Sequence, residues 1–149
     1  MGEPDLATRP GTGLQRIQII KGWMTGDQEL NQKVYDVAGD PDNGAGVDLQ
    51  TCETTGEGAD TLCSVWTDPE FDPTQRAFYY ARVVENPTCR WSARVCNAHA
   101  VDCSRPDSVP SELAACCDPS HRRTIQERAW TSPIWYTPEP ESGAAERAS

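Results

Sequence analysis

Lysine is almost absent from this sequence: of 149 residues only Lys21 and Lys33 carry an ammonium group. Acidic side chains outnumber basic ones 23 to 13, and the formal net charge is −10. A surface of that sign repels phosphate backbones and anionic lipid, so nucleic-acid and membrane-surface binding are disfavoured. No stretch approaches the roughly 20 apolar residues a membrane span needs. Only 37% of residues are apolar, which predicts a modest core for a chain long enough to form one domain. Helical periodicity is nearly missing, and no internal repeat is found. The first residues, Met1-Gly2-Glu3-Pro4-Asp5, have neither a basic nor an apolar region, so they do not form an export signal.

Catalytic signatures are missing as well. His99 and His121 are the only histidines. A nucleophile pair with a cysteine can be drawn from them, but two loop imidazoles beside disulfide cysteines are the favoured reading. There is no G-x-S-x-G elbow to fix a serine triad. Gly11-Thr12-Gly13 is followed by no lysine and opens no helix, which excludes a phosphate loop. Asp40-Pro41-Asp42-Asn43-Gly44 looks like the opening of a calcium loop, yet Gly44 stands where a fifth-position ligand is needed. An ordinary turn is favoured there. The expectation is a chain with no catalytic set, no metal site and no cofactor of its own.

Cysteine, by contrast, is plentiful. Seven occur, at Cys52, Cys63, Cys89, Cys96, Cys103, Cys116 and Cys117, and none forms a C-x-x-C pair. Zinc ribbons need two ligands two to four residues apart, so disulfides are the better reading, and they imply an oxidising compartment. With one thiol left over, roughly a hundred three-bridge connectivities exist, and sequence does not choose among them. One pair is singled out. Cys52 and Cys63 flank the Gly-rich run Thr54–Asp60, which reads as a hairpin tip that a bridge would staple. The vicinal Cys116 and Cys117 either close a strained, redox-active ring or pair with separate distant partners, the second being favoured. From Cys89 to Cys117 the apolar pattern is weak, and cross-links there substitute for a core.

Along the chain, residues 1–13 read as a linker. Leu14–Trp23 alternates, with Ile17, Ile19 and Trp23 on one face and Arg16 and Gln18 on the other, which predicts a strand. Gln32–Ala38 is a second strand, antiparallel to the first, and 39–46 a loop. Val47–Thr51 and Leu62–Trp66 are expected as the arms of the stapled hairpin. Asp68–Thr74 is a crossing loop. Ala77–Glu85 is the strongest strand; both its faces are partly apolar, so it belongs at the centre of the sheet with cover on both sides. Residues 86–124 are irregular, with at most a helical turn near Ser111–Cys117. Thr124–Tyr136 is a strand broken at Pro133, which confines that point to an edge or bulge. The Pro- and Glu-rich tail, 138–149, is expected to be disordered. The pattern predicts an all-β fold: one antiparallel β-sandwich domain over 14–137, with long irregular disulfide-stapled loops and little helix.

One set of side chains suggests a ligand. Arg90 and Trp91 follow Cys89, and Arg128 and Trp130 sit two residues apart. Arginine beside tryptophan forms a stacking and bidentate surface for a carboxylate, phosphate or sugar. Internal stacking, with the guanidinium ends paired to Glu85 or Glu127, is the favoured reading.

Three long runs carry a family likeness. They are Leu14–Trp23; Asp68–Val83; and Ile125–Tyr136, with Asn86-Pro87-Thr88-Cys89-Arg90-Trp91-Ser92 between them. Together they closely resemble the C-terminal part of bacterial proteins in the domain-of-unknown-function family 3604, over roughly residues 14 to 137. That resemblance implies a much longer exported protein. Its N-terminal part would be a barrel like the polymerase-and-histidinol-phosphatase superfamily, with His and Asp metal ligands. None of those ligand motifs occurs in these residues, so no catalytic or metal residue is carried over. The resemblance implies a non-catalytic C-terminal β-domain of a larger exported, metal-dependent hydrolase-like protein. Its partner would be the barrel, which it buttresses, lending Arg90, Trp91 or Arg128 to the rim of the site. Met1 would then be an internal start, and the location periplasmic or extracellular. The rival expectation is a self-sufficient secreted binding module, stapled by disulfides, that grips a glycan or a protein.

Overall fold

The structure, a computed structural model, describes residues 11–26 and 29–139. The bulk of the expected linker and tail, at 1–10 and 140–149, lies outside the described residues. Two long strands come first, β1 (Leu14–Met24) and β2 (Leu30–Gly39), followed by two-residue strands β3 (Gly46–Val47) and β4 (Thr54–Thr55). The second half opens with β5 (Ala77–Glu85) and the short β6 (Thr88–Cys89). An α-helix, α1 (Trp91–Ala98), and two 3-10 turns, Pro106–Ser108 and Ser111–Cys117, come next. The chain closes on β7 (Thr124–Ile125), β8 (Arg128–Trp130) and β9 (Ile134–Tyr136). The fold is all-β and antiparallel, with disulfide-stapled loops and little helix.

The main sheet has the order β2-β1-β5, and β8 and β9 both pair with the far edge of β5. β5 is therefore central, as its two-sided apolar pattern predicts. Its partner edge is split because Pro133 cannot donate to a ladder, so pairing stops after Trp130 and resumes at Ile134. The registers Ile19↔Ala81 and Lys21↔Tyr79 put those side chains on one face, while Ile20↔Tyr80 and Gly22↔Phe78 put theirs on the other.

The first face is covered by loop. The segment after Trp66 lies across it and is held by a polar cluster. Lys21 Nζ donates to Asp68 Oδ2 at 2.5 Å and to the Glu70 carbonyl at 2.8 Å. Tyr79 Oη donates to the same Asp68 oxygen at 2.7 Å, and Tyr35 Oη to Glu70 at 3.1 Å. Trp66 packs between Tyr35 and Tyr79, with ring centroids 4.9 and 6.3 Å away. Lys33 closes the cluster on Glu70. Both lysines of the chain thus hold the same loop.

The structure departs from the sequence reading at four points. Cys52 bonds Cys89, and Cys63 is a free, exposed thiol. The expected hairpin arms shrink to β3 and β4, and 62–66 forms no strand. The reason is that Cys52 and Val47 pack with Cys89 and Ala93 in a small core of their own, which draws the loop toward α1 and away from Cys63. Third, residues 91–98 form a two-turn helix where only irregular chain was expected. Cys96 and Ala93 are its buried residues, and a bridge replaces the apolar stripe that would have revealed it. Fourth, β5 is not evenly covered: aromatic and apolar side chains stay exposed on its second face. Cys116 and Cys117 part as favoured, to Cys96 and Cys103.

Candidate functional site

The second face of the main sheet divides into two regions. One end is apolar. Leu30, Val34, Met24 and Trp135 are exposed there, and Phe78 and Tyr80 are half-buried. The Phe78 ring lies directly on Gly22, where a Cβ would meet it at 2.2 Å, so the aromatic is pressed flat along the strand. Phe78 stacks on Tyr80 with an 8° interplanar angle, and Trp135 leans on Phe78 with centroids 5.3 Å apart. Two hollows of about 400 and 340 Å³ open among these rings. A contiguous aromatic face of this kind marks a contact surface, whereas singly scattered apolar residues do not.

The other region is cationic. β6 and β7 pair through Thr88↔Ile125 and Cys89↔Thr124. That ladder continues as the Arg90 amide donates to the Arg123 carbonyl at 2.9 Å. Arg90 is extended at the N-cap of α1, and its Nε donates to the Thr124 carbonyl at 3.3 Å. Arg123 turns inward and donates to the Leu49 carbonyl and Asn97 Oδ1 at 2.6 and 2.7 Å, an architectural role. Arg122, which precedes β7, lines the same cavity wall as Arg90. Arg128 and Trp130, two apart on β8, share the face that carries Val84 and Arg82. Gln126 fixes the approach of β8 through bonds to Gln15 Oε1 and the Glu85 carbonyl at 3.0 and 3.1 Å.

These elements line an open cavity of about 520 Å³, among its residues Arg90, Arg122, Arg128, Trp130, Gln126 and Glu127. Three of the four ligand residues expected from sequence therefore converge. Trp91 does not. It opens the helix, and helical geometry turns it away into a separate hollow of about 170 Å³ beside Cys96, Cys116 and His121. Arg122 is the residue that sequence reasoning missed. No local signal marks it, because it precedes the two-residue β7 and belongs to no strand. The internal pairing with Glu85 or Glu127 is not formed: among the described residues, Arg90, Arg122 and Arg128 have no carboxylate within 4.0 Å.

Elsewhere, Ser92 Oγ and His121 Nε2 lie 2.9 Å apart, but the buried His121 Nδ1 has no partner among the described residues. The ring thus lacks the orienting acid of a triad. Asp40 accepts the Asp42 amide at 2.8 Å, an ordinary Asx turn. No cluster of three or more His, Cys, Asp or Glu suited to a metal occurs among the described residues. No helix among them is long and apolar enough to cross a membrane.

A family model described as "Protein of unknown function (DUF3604)" matches residues 6–138. No curated protein and no solved structure matches the chain.

Proposed function

We propose, from the premise that the chain belongs to the DUF3604 family, that it acts as a non-catalytic β-domain that buttresses a larger exported hydrolase-like protein. The observation that carries this reading is the second sheet face. Trp135, Leu30 and Met24 are 71, 69 and 51% exposed on it, side by side with Phe78 and Tyr80. Solvent is a poor partner for such a face, and a neighbouring folded body is a good one. That body would be the metal-dependent barrel that the family resemblance implies. The arginine-lined cavity shares Trp130 with the aromatic hollows, so it would lie at the margin of the joint, at the rim of the barrel's site. Three disulfides fit assembly in an oxidising space, periplasmic or extracellular.

Two measurements test the reading. Purified chain is assayed with simple phosphoesters, with and without divalent metal; no turnover is expected, and metal-dependent turnover by the chain alone refutes the non-catalytic assignment. The separately expressed preceding domain is then titrated with this chain. Binding is expected, and Leu30→Lys with Trp135→Lys should abolish it while lowering the thermal midpoint by no more than about 5 °C, the loss of the Trp135–Phe78 contact. Undiminished binding by that variant refutes the docking face.

A further inference from the structure

We propose that the arginine-lined cavity is a binding site for an acidic sugar, a pyranose ring bearing a carboxylate, sulfate or phosphate. The inference goes beyond the docking role and stands whether or not another body covers the sheet face. Three observations carry it. First, Arg90 and the stretch 122–130 that carries Arg122 and Arg128 bring three arginines to one cleft, and Glu127 is the only acid lining it among the described residues. Two net positive charges in a hollow of a chain with net charge −10 focus the field on an anion rather than spreading it.

Second, the guanidinium groups are uncommitted. No carboxylate among the described residues lies within 4.0 Å of any of the three. Arg90 Nε donates to the Thr124 carbonyl, which orients the fork, and its terminal nitrogens have no hydrogen-bond partner among the described residues. An oriented planar fork is the donor geometry that matches an oxyanion edge. Third, Trp130 is 58% exposed and shares the cavity wall with Arg128, two residues along the same strand. An indole presented beside a cationic fork stacks the apolar face of a sugar ring while the oxyanion is held. At about 520 Å³ the space suits one or two such rings. Inorganic anions would use the arginines alone, so the tryptophan marks the ring as part of the ligand.

The test titrates the intact chain with glucuronate, glucose 6-phosphate, glucose 6-sulfate, glucose and inorganic phosphate, by calorimetry and tryptophan fluorescence. At least one charged sugar is expected to bind about tenfold more tightly than glucose and than inorganic phosphate, weakening as salt is raised. The arm that binds identifies the oxyanion. Arg128→Gln and Arg122→Gln should each weaken the charged sugar about tenfold, and Trp130→Ala should weaken it while leaving inorganic phosphate unchanged. These side chains are exposed, so the melting midpoint is expected to hold; Arg76→Gln, at the apolar end, serves as the unaffected control. Equal affinity for glucose and the charged sugars, no binding by any probe, or indifference to the arginine substitutions overturns the site. Binding of inorganic phosphate as tight as the best sugar overturns the sugar.

Discussion

Lys21→Met offers the sharpest test of what holds the sheet together. Lys21 and Asp68 form an ion pair at 2.5 Å with side chains only 4 and 6% exposed. Asp68 Oδ2 also accepts from Tyr79, and Oδ1 from the Glu70 amide at 2.9 Å. Removing the ammonium leaves a buried carboxylate with two neutral donors, a change that costs about 3–5 kcal/mol. For a chain of this size that corresponds to a midpoint roughly 10 °C lower. Asp68→Asn combined with Lys21→Met should recover at least about 1 kcal/mol of the loss, because the stranded charge is gone. The acid limb supplies an independent check. Burial alone would raise the Asp68 carboxyl, but the hydrogen bonds from Lys21, Tyr79 and the Glu70 amide outweigh it and hold it below its ordinary 3.8. Stability from this group is therefore full above that value and is lost as pH falls through the lower folded-state value. The gap between wild type and Lys21→Met should narrow over the same range, because protonated Asp68 has no charge to strand. Urea unfolding followed by near-UV circular dichroism, at neutral pH and near pH 3, measures both effects. Lys33→Met is the internal control: its pair with Glu70 is 43 and 53% exposed and should be worth well under about 1 kcal/mol. A loss from Lys21→Met no larger than that from Lys33→Met, or one that does not change with pH, would refute the reasoning.

The cysteine map predicts that alkylation without reductant modifies Cys63 alone, read as a single mass adduct; two or more adducts would contradict the pairing. Replacing Cys52 and Cys89 together by alanine opens a crosslink spanning 37 residues and should cost about 4 kcal/mol on the chain-entropy model, measured by denaturant midpoint. Gly39→Ala should destabilise by about 2–3 kcal/mol, because Gly39 has φ +79° and a Cβ there would sit 2.2 Å from the Gln15 carbonyl oxygen. Faster amide exchange at the β1–β2 ladder near Gln15 and Asp40 would accompany it, and an unchanged midpoint would count against the backbone geometry at that turn.

Strands with strict alternation are legible in the residue order alone, because a half-buried strand writes its period directly into it. β1, β2 and β5 are found in this way, although β1 buries Gln18 and Ile20 on one face and Lys21 on the other, and Pro133 announces the break between β8 and β9. The cluster around Asp68 is not legible in this way. Nothing local in Asp68-Pro69-Glu70 says that its carboxylate will find Lys21, 47 residues away, and a lysine within an alternating strand reads as a solvent-facing residue. The Cys52 staple fails for a related reason. Sequence proximity favours Cys63, but packing of Val47 and Ala93 around Cys89 makes the choice. The cationic cavity is half legible. Arg128 and Trp130 share a face by simple alternation, whereas Arg122 lies outside any strand and the exclusion of Trp91 depends on the first turn of a helix. Short elements carry too few residues for any period to show.

The division of labour between the two sheet faces bears on why the aromatic side is retained at all. Much of what stabilises the fold lies away from these exposed rings: the Lys21–Asp68 cluster and its aromatic neighbours on the first face, Ile20 and Val84 buried on the second, and three disulfide bridges. An isolated domain would gain nothing by keeping Leu30, Met24 and Trp135 in water, and exposed apolar sheet surface invites aggregation. Polar residues at those positions would make it more soluble at little cost in stability, since exposed side chains away from packed contacts usually change it by under about 0.5 kcal/mol. The chain instead places its polar network on the face that the loop covers, with Tyr35, Trp66 and Tyr79 around it, and leaves Leu30, Met24, Trp130 and Trp135 exposed on the other. That inversion makes sense if the open face is buried in use. It also predicts that aromatic-to-polar changes there leave folding intact, the condition under which loss of association reports on the surface itself.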